Sequence, residues 1–236
     1  MSTSAGPAAT TPPARSGAPT PFRLAIGLVL NFAVTIIVLG FTWGDLPAFA
    51  SDPLHIATIV MALVPTIAYA GWTSRGGAGV KTLDEGRHYV LAMNILAGIA
   101  IVAIVWLDGR ATLRLPGGEP LRWIGALVML AGTVFRAGAM VQLGRRFSLR
   151  VALQQDHVLE TRGFYTHIRH PSYLGSLLML IGFALVFRSV LGLVLAFALG
   201  LVSGRIAREE RFMAEQFGAE WEAYRARTKR LIPGVW

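Results

Sequence analysis

Cysteine is absent from all 236 residues, which excludes disulfides, thiolate metal sites and cysteine nucleophiles. Charge is scarce: 15% of residues are Asp, Glu, Lys or Arg, against 54% hydrophobic. A soluble domain carries about 25% charged residues. No Gly-rich GxGxxG turn occurs, so a cofactor cannot be held by a Rossmann-type loop. No internal repeat is visible, and no RNA- or DNA-binding signature accompanies the formal charge of +9. The basic residues flank apolar runs, where membrane proteins place them, so nucleic acid is not an expected partner. Residues Met1 to Pro21, rich in Ala, Pro, Ser and Thr, cannot bury enough apolar surface to order themselves. They are expected to form a disordered tail, and they lack the apolar core of a signal peptide.

What is present is a series of long apolar runs. Phe22–Phe41, Leu54–Trp72, Tyr89–Leu107 and Leu121–Leu143 each approach the ~20 residues needed to cross a bilayer as a helix. Trp43 and Trp72 lie where an interfacial belt would. Asn94 and Arg136 interrupt the third and fourth runs and should face the protein interior, because polar groups in lipid are costly. Two shorter runs, Tyr173–Phe187 and Val190–Gly204, are separated by Arg188 and Ser189 and suggest a tight helical hairpin.

The expected fold is therefore all-α and polytopic, with about six transmembrane helices and a C-terminal helix running to about Lys229. Residues 1–21 form the tail, 22–143 the first four spans, and 144–236 a region carrying chemistry. With six crossings, seventeen of the 22 Lys and Arg fall on the side of the termini, and only Arg110, Arg114, Arg122 and Arg188 on the other. That bias places both termini in the cytoplasm. The Ala-, Gly- and Arg-rich composition suggests a high-GC bacterium, hence an inner-membrane protein.

The segment from Gly144 to Tyr173 holds three of the five histidines together with many Arg and aromatic residues. Taken singly, each has a bland explanation. Arg169 and His170 can be basic flank, Pro171 the first residue of a helix, and Tyr165 and Tyr173 interfacial anchors. Beyond the hairpin, Arg205 and Glu209 are four apart and share a helix face, with Arg208, Glu210 and Arg211 beside them. Weak solvated ion pairs would explain that cluster equally well.

Together the clusters resemble the isoprenylcysteine carboxyl methyltransferase (ICMT) family of membrane enzymes. The matching elements run in order: LGRRFS at Leu143–Ser148, DHVLETRGFY at Asp156–Tyr165, RHPSYLG at Arg169–Gly175, REE at Arg208–Glu210, FGAEWEAY at Phe217–Tyr224 and RLIP at Arg230–Pro233. The resemblance implies methyl transfer from S-adenosylmethionine to a lipophilic or lipidated acceptor. It also implies that His157, Val158, Leu159, Glu160, Tyr165, His170, Pro171, Ser172, Tyr173 and Glu209 line the cofactor. Gln154 is chosen for a further contact in a loop shorter than the family's, and Glu160 stands where the family has a small apolar residue. Arg205 matches the substrate-side arginine and is the catalytic candidate. No metal is implied. An aromatic face near a sulfonium gives cation–π attraction of roughly 0.5–2 kcal/mol, and a carboxylate suits an ammonium or ribose hydroxyls. Other acceptors in small molecules or phospholipids (amines or thiols), an NADPH-dependent sterol-reductase-like enzyme and a non-enzymatic membrane protein are the alternatives.

Overall fold

The computed structural model describes residues 21–73, 81–82, 86–144, 152–153, 158–201 and 204–232, with side chains for 25–68, 95–144, 158–198 and 206–232. The expected tail, the LGRRFS residues after Gly144, Gln154 and His157 lie outside the described residues, as do the side chains of Asn94, Trp72 and Arg205.

The helices follow the apolar runs closely. They are α1 (Pro21–Trp43), α2 (Leu46–Ser51), α3 (Pro53–Thr73), α4 (Gly86–Gly109), α5 (Gly118–Leu143), α6 (Pro171–Val186), α7 (Val190–Leu201), α8 (Gly204–Phe217) and α9 (Ala219–Arg227). The segments Ala25–Trp43 and Gly118–Leu143 are long and apolar enough to cross a membrane, and Pro53–Ala68, Ile95–Gly109 and Pro171–Val186 are shorter apolar helices. Large side chains lie bare along their outer faces, including Val29, Leu30, Val34 and Phe41 on α1 and Trp123, Leu127 and Val134 on α5. Water would not tolerate so broad an apolar surface, whereas lipid covers it at no cost.

Three features depart from the sequence expectations. First, the short helix α2 was not foreseen. Asp45 caps it, accepting a hydrogen bond from the Ala48 amide at 2.9 Å, and Phe49 is driven fully into the core. Second, the C-terminal segment is two helices rather than one. The chain breaks at Gly218, whose φ of +48° suits a residue without a Cβ. Third, the all-α expectation needs one addition. Strand β1 (Lys81–Thr82) pairs antiparallel with β2 (Ala152–Leu153), tying the loop after α3 to the long loop after α5.

Among the described residues α5 and α6 form the most extensive helix pair, and glycine makes their close approach possible. A Cβ on Gly132 would stand 2.6 Å from the Met179 amide, and one on Gly175 2.5 Å from the Arg136 amide. Gly125 and Gly182 face each other one heptad further along the same seam, so small residues let two apolar helices meet at the backbone. Arg136 turns inward across this seam, donating to the Ser172 carbonyl at 3.3 Å and to the Ser176 hydroxyl, as expected for an arginine in an apolar run.

Two clusters of buried residues mark the two ends. One gathers Leu39, Phe49, Leu54, Val105, Val186 and Phe187. Around it the loops are stapled by charge pairs: Arg122 with Asp52 and Glu119, and Arg114 with Asp108. Trp43, expected as an interfacial anchor, instead donates its indole N–H to Asp108 at 3.0 Å. The second cluster, around Ala139, Tyr165, Trp221 and Tyr224, lies at the opposite end and supports the site.

Candidate active site

The site is built where three chain segments meet: the loop 158–170, the start of α6, and α8–α9 with the stretch after them. The loop closes in a tight turn at Gly163–Tyr165 that opens on Gly163 with φ +54°. Gln142, on the last turn of α5, grips that turn with both ends of its amide. Its Nε2 donates to the Arg162 carbonyl at 2.6 Å, and its Oε1 accepts from the Phe164 amide at 3.0 Å. Phe164 lies over Gly138 and meets Phe135 edge-on.

Tyr165 is buried, at 8% exposure. Its hydroxyl donates to the Ala139 carbonyl at 3.4 Å, and its own carbonyl accepts the Tyr224 hydroxyl at 2.7 Å. Burial, reinforced by Glu209, Tyr224 and Glu160, pushes its phenol well above the ordinary tyrosine range, so it stays neutral. Leu159 packs against the same cluster, Val158 is exposed, and Glu160 accepts the Arg162 amide at 3.2 Å.

The next stretch, Ile168 to His170, is held as a strand would be. Ile168 bridges Lys229, and the amides of Arg169 and His170 donate to the carbonyls of Lys229 and Arg230 at 2.8 and 3.0 Å. Pro171 then occupies the first turn of α6, where its missing N–H costs nothing. Its fixed φ starts the helix and sets Tyr173 one turn in. The His170 ring, 5% exposed, stands edge-on to Tyr173 at 5.5 Å. The Tyr173 hydroxyl donates to Glu209 Oε2 at 2.9 Å. This bond joins α6 to α8 across 36 residues of chain. Ser172 is occupied by Arg136. The backbone of Arg205 lies in α8, one turn before Glu209.

Sequence reasoning missed Glu210. The bland alternative of weak solvated ion pairs does not describe it. Glu210 is buried, at 7% exposure, facing Arg169 Nε at 2.8 Å, His170 Nε2 at 3.4 Å and Arg230 Nη2 at 3.0 Å. Burial alone would raise its pKa, but hydrogen bonds from His170, Arg169 and Arg230 reverse this and hold the carboxyl at about 2. The signal was available in the helical phase: Ile206, Glu210, Met213 and Phe217 share one stripe of α8, so Glu210 points where its apolar neighbours point. Gln142 and Tyr224 carried no such signal, because their partners are 20 and 59 residues away.

The comparisons with known proteins fall on this region. Residues 123–215 match the model of the isoprenylcysteine carboxyl methyltransferase (ICMT) family. Protein-S-isoprenylcysteine O-methyltransferase B of Arabidopsis thaliana is 29% identical over 170 residues, covering 67% of this chain and 82% of the relative. The Schizosaccharomyces pombe protein-S-isoprenylcysteine O-methyltransferase is 37% identical over 107 residues, covering 43% of this chain and 45% of the relative. The Saccharomyces cerevisiae enzyme of the same name is also 37% identical, over 116 residues, covering 48% of each. The chain thus spans about half the length of these two fungal relatives. A solved structure of a eukaryotic intramembrane Ras methyltransferase, ICMT, superposes at a TM-score of 0.49 with 18% identity, covering 93% of this chain and 88% of that one. The family match runs from the first turns of α5, through the loop and hairpin, to the last turns of α8. This stretch includes Tyr165, His170, Tyr173 and Glu209, and over it the chain is similar to the isoprenylcysteine carboxyl methyltransferase family.

Proposed function

We propose that the protein transfers a methyl group from S-adenosylmethionine to the carboxylate of a lipophilic acceptor at the membrane surface. The observation that carries this reading is the Tyr173–Glu209 hydrogen bond. It brings the RHPSY run and the REE helix to one place, with His170 and buried Tyr165 beside them.

The residues present fit the cofactor's chemistry. Glu209 is a half-exposed carboxylate oriented by Tyr173 and suits an α-ammonium or ribose hydroxyls. The buried His170 ring turns Nε2 toward Glu210 Oε1 at 3.4 Å, which leaves Nδ1 as the ring atom able to meet a ligand. The Tyr173 ring, half-buried at the start of α6, offers a π-face to a sulfonium. Val158, Leu159, Glu160, Pro171 and Ser172 are the further cofactor-lining candidates, and His157 and Gln154 precede them in sequence. S-adenosylmethionine supplies an activated methyl on a sulfonium; its transfer to a carboxylate oxygen yields a methyl ester and a neutral thioether.

The protein's own part is alignment. A carboxylate acceptor is already ionised at neutral pH, so no residue needs to remove a proton, and good positioning alone can contribute about 7–11 kcal/mol. Arg205, one turn before Glu209 on α8, would hold the acceptor carboxylate by paired hydrogen bonds. The substrate class follows from the relatives' names: an S-prenylated cysteine bearing a free carboxylate.

Residues 22–143 then form the membrane scaffold and 144–236 the catalytic region, with six crossings and the site and both termini facing the cytoplasm. The charges support this orientation. Only Arg110, Arg114, Arg122 and Arg188 would lie on the far side, against seventeen Lys and Arg on the side of the site. The test is methyl transfer by purified protein in lipid nanodiscs, using cofactor with a labelled methyl and an S-farnesyl cysteine acid. Arg205→Ala and Glu209→Ala should abolish it. Normal transfer by both variants would overturn the roles assigned here.

A further inference from the structure

The REE run places two adjacent glutamates on α8, and the structure gives them different surroundings. Glu209 is half-exposed and bonded to Tyr173 at 2.9 Å. Glu210, about 100° further round the helix, is buried against three cationic or protonatable groups. Its two oxygens divide them. Oε1 takes Arg169 Nε at 2.8 Å and faces His170 Nε2 at 3.4 Å, while Oε2 takes Arg230 Nε at 3.0 Å. Arg169 also donates to the Thr228 carbonyl, and the backbone of 168–170 is already paired with 229–230. One carboxylate therefore sits at the junction of the cofactor loop, the start of α6 and the chain after α9. The buried His170 ring meets Tyr173 at its edge and turns Nε2 to Glu210, while its backbone amide is committed to Arg230.

We infer that Glu210 is a positioning residue, which acts on cofactor binding through His170 by fixing the orientation of that ring, and that it is not a second copy of Glu209. The carboxylate draws an N–H on Nε2 toward itself, which sets the tautomer and leaves the other ring nitrogen as the acceptor. The inference rests on the function proposed above, since it concerns how His170 meets the cofactor.

The test is a double-mutant cycle read by calorimetric titration of detergent-solubilised full-length protein with S-adenosylhomocysteine. Glu210→Gln should weaken binding roughly tenfold in the wild-type background and less than about twofold in the His170→Ala background, since a residue acting through another loses its effect once that other is gone. Arg230→Gln releases only the Oε2 side and should lower the unfolding temperature while leaving the dissociation constant within about twofold. Should Glu210→Gln fail to fold, Glu210→Asp, which keeps the charge and shortens the reach, goes through the same cycle. Equal weakening in both backgrounds, no weakening in either, or an Arg230→Gln affinity that falls in step with stability would overturn the inference. Failure of the wild-type protein to bind S-adenosylhomocysteine would instead overturn the proposed function.

Discussion

Protonating Glu210 should unlatch the site, and the size of the effect follows from its surroundings. Its carboxyl is held at about 2 in the folded protein against an ordinary value of 4.5. A folded-state pKa below the unfolded one stabilises the fold fully at pH above 4.5. That stability is lost as pH falls through the window from about 5 to about 2. At about 1.4 kcal/mol per unit, the shift is worth about 3 kcal/mol at pH 7 and about 2 kcal/mol at pH 3.5. Glu210→Gln removes the titrating group, so its stability deficit should shrink by about 1 kcal/mol between those two values. For a chain of this length, 1 kcal/mol moves Tm by roughly 2–4 °C. Intrinsic-fluorescence melts of wild type and Glu210→Gln in one detergent, from pH 7 to pH 3.5, should show the Tm gap closing by about that much. A gap that stays constant or widens on acidification would refute the argument, because the carboxyl would then not be the charged partner of Arg169 and Arg230.

Further outcomes follow from other contacts. Tyr173→Phe deletes the hydroxyl that donates to Glu209. A hydrogen bond to a charged group is worth about 1.5–3 kcal/mol of stability, so Tm should fall by several degrees, and S-adenosylhomocysteine affinity should fall with it as Glu209 loses its orientation. Gln142→Ala frees both ends of the Gly163–Tyr165 turn and should speed hydrogen exchange at the Phe164 amide, read by mass spectrometry, with loss of about 1–2 kcal/mol. Gly132→Leu or Gly175→Leu forces a side chain into backbone across the α5–α6 seam. Size-exclusion chromatography should show aggregated material, as no neighbouring side chain can move aside to admit it.

The parts of the fold written in local pattern were legible in the sequence. Apolar runs gave α1 and α3 to α7 within a few residues, because lipid demands continuous apolar length. Pro171 marked the start of α6, and Arg136 was correctly turned inward. Other features depended on partners far along the chain. Trp43 was read as an interfacial residue, and its hydrogen bond to Asp108, 65 residues on, had no local signal. The short helix α2 was hidden because six residues are too few to show a period. Of the site, the resemblance located Tyr173 and Glu209, and the structure brings the two into hydrogen-bond contact. Glu210 was given no role beside Arg208 and Arg211, because the apolar phase of α8 was not followed.

The pairing of 168–170 with 229–230 has a consequence for biogenesis. The chain is made from its N-terminus, so α1 to α7 are complete while the corner around His170 still lacks one of its walls. Competence to bind a ligand should therefore arise only after Arg230 has left the ribosome. Until then, a nascent chain already anchored among lipids would remain catalytically silent.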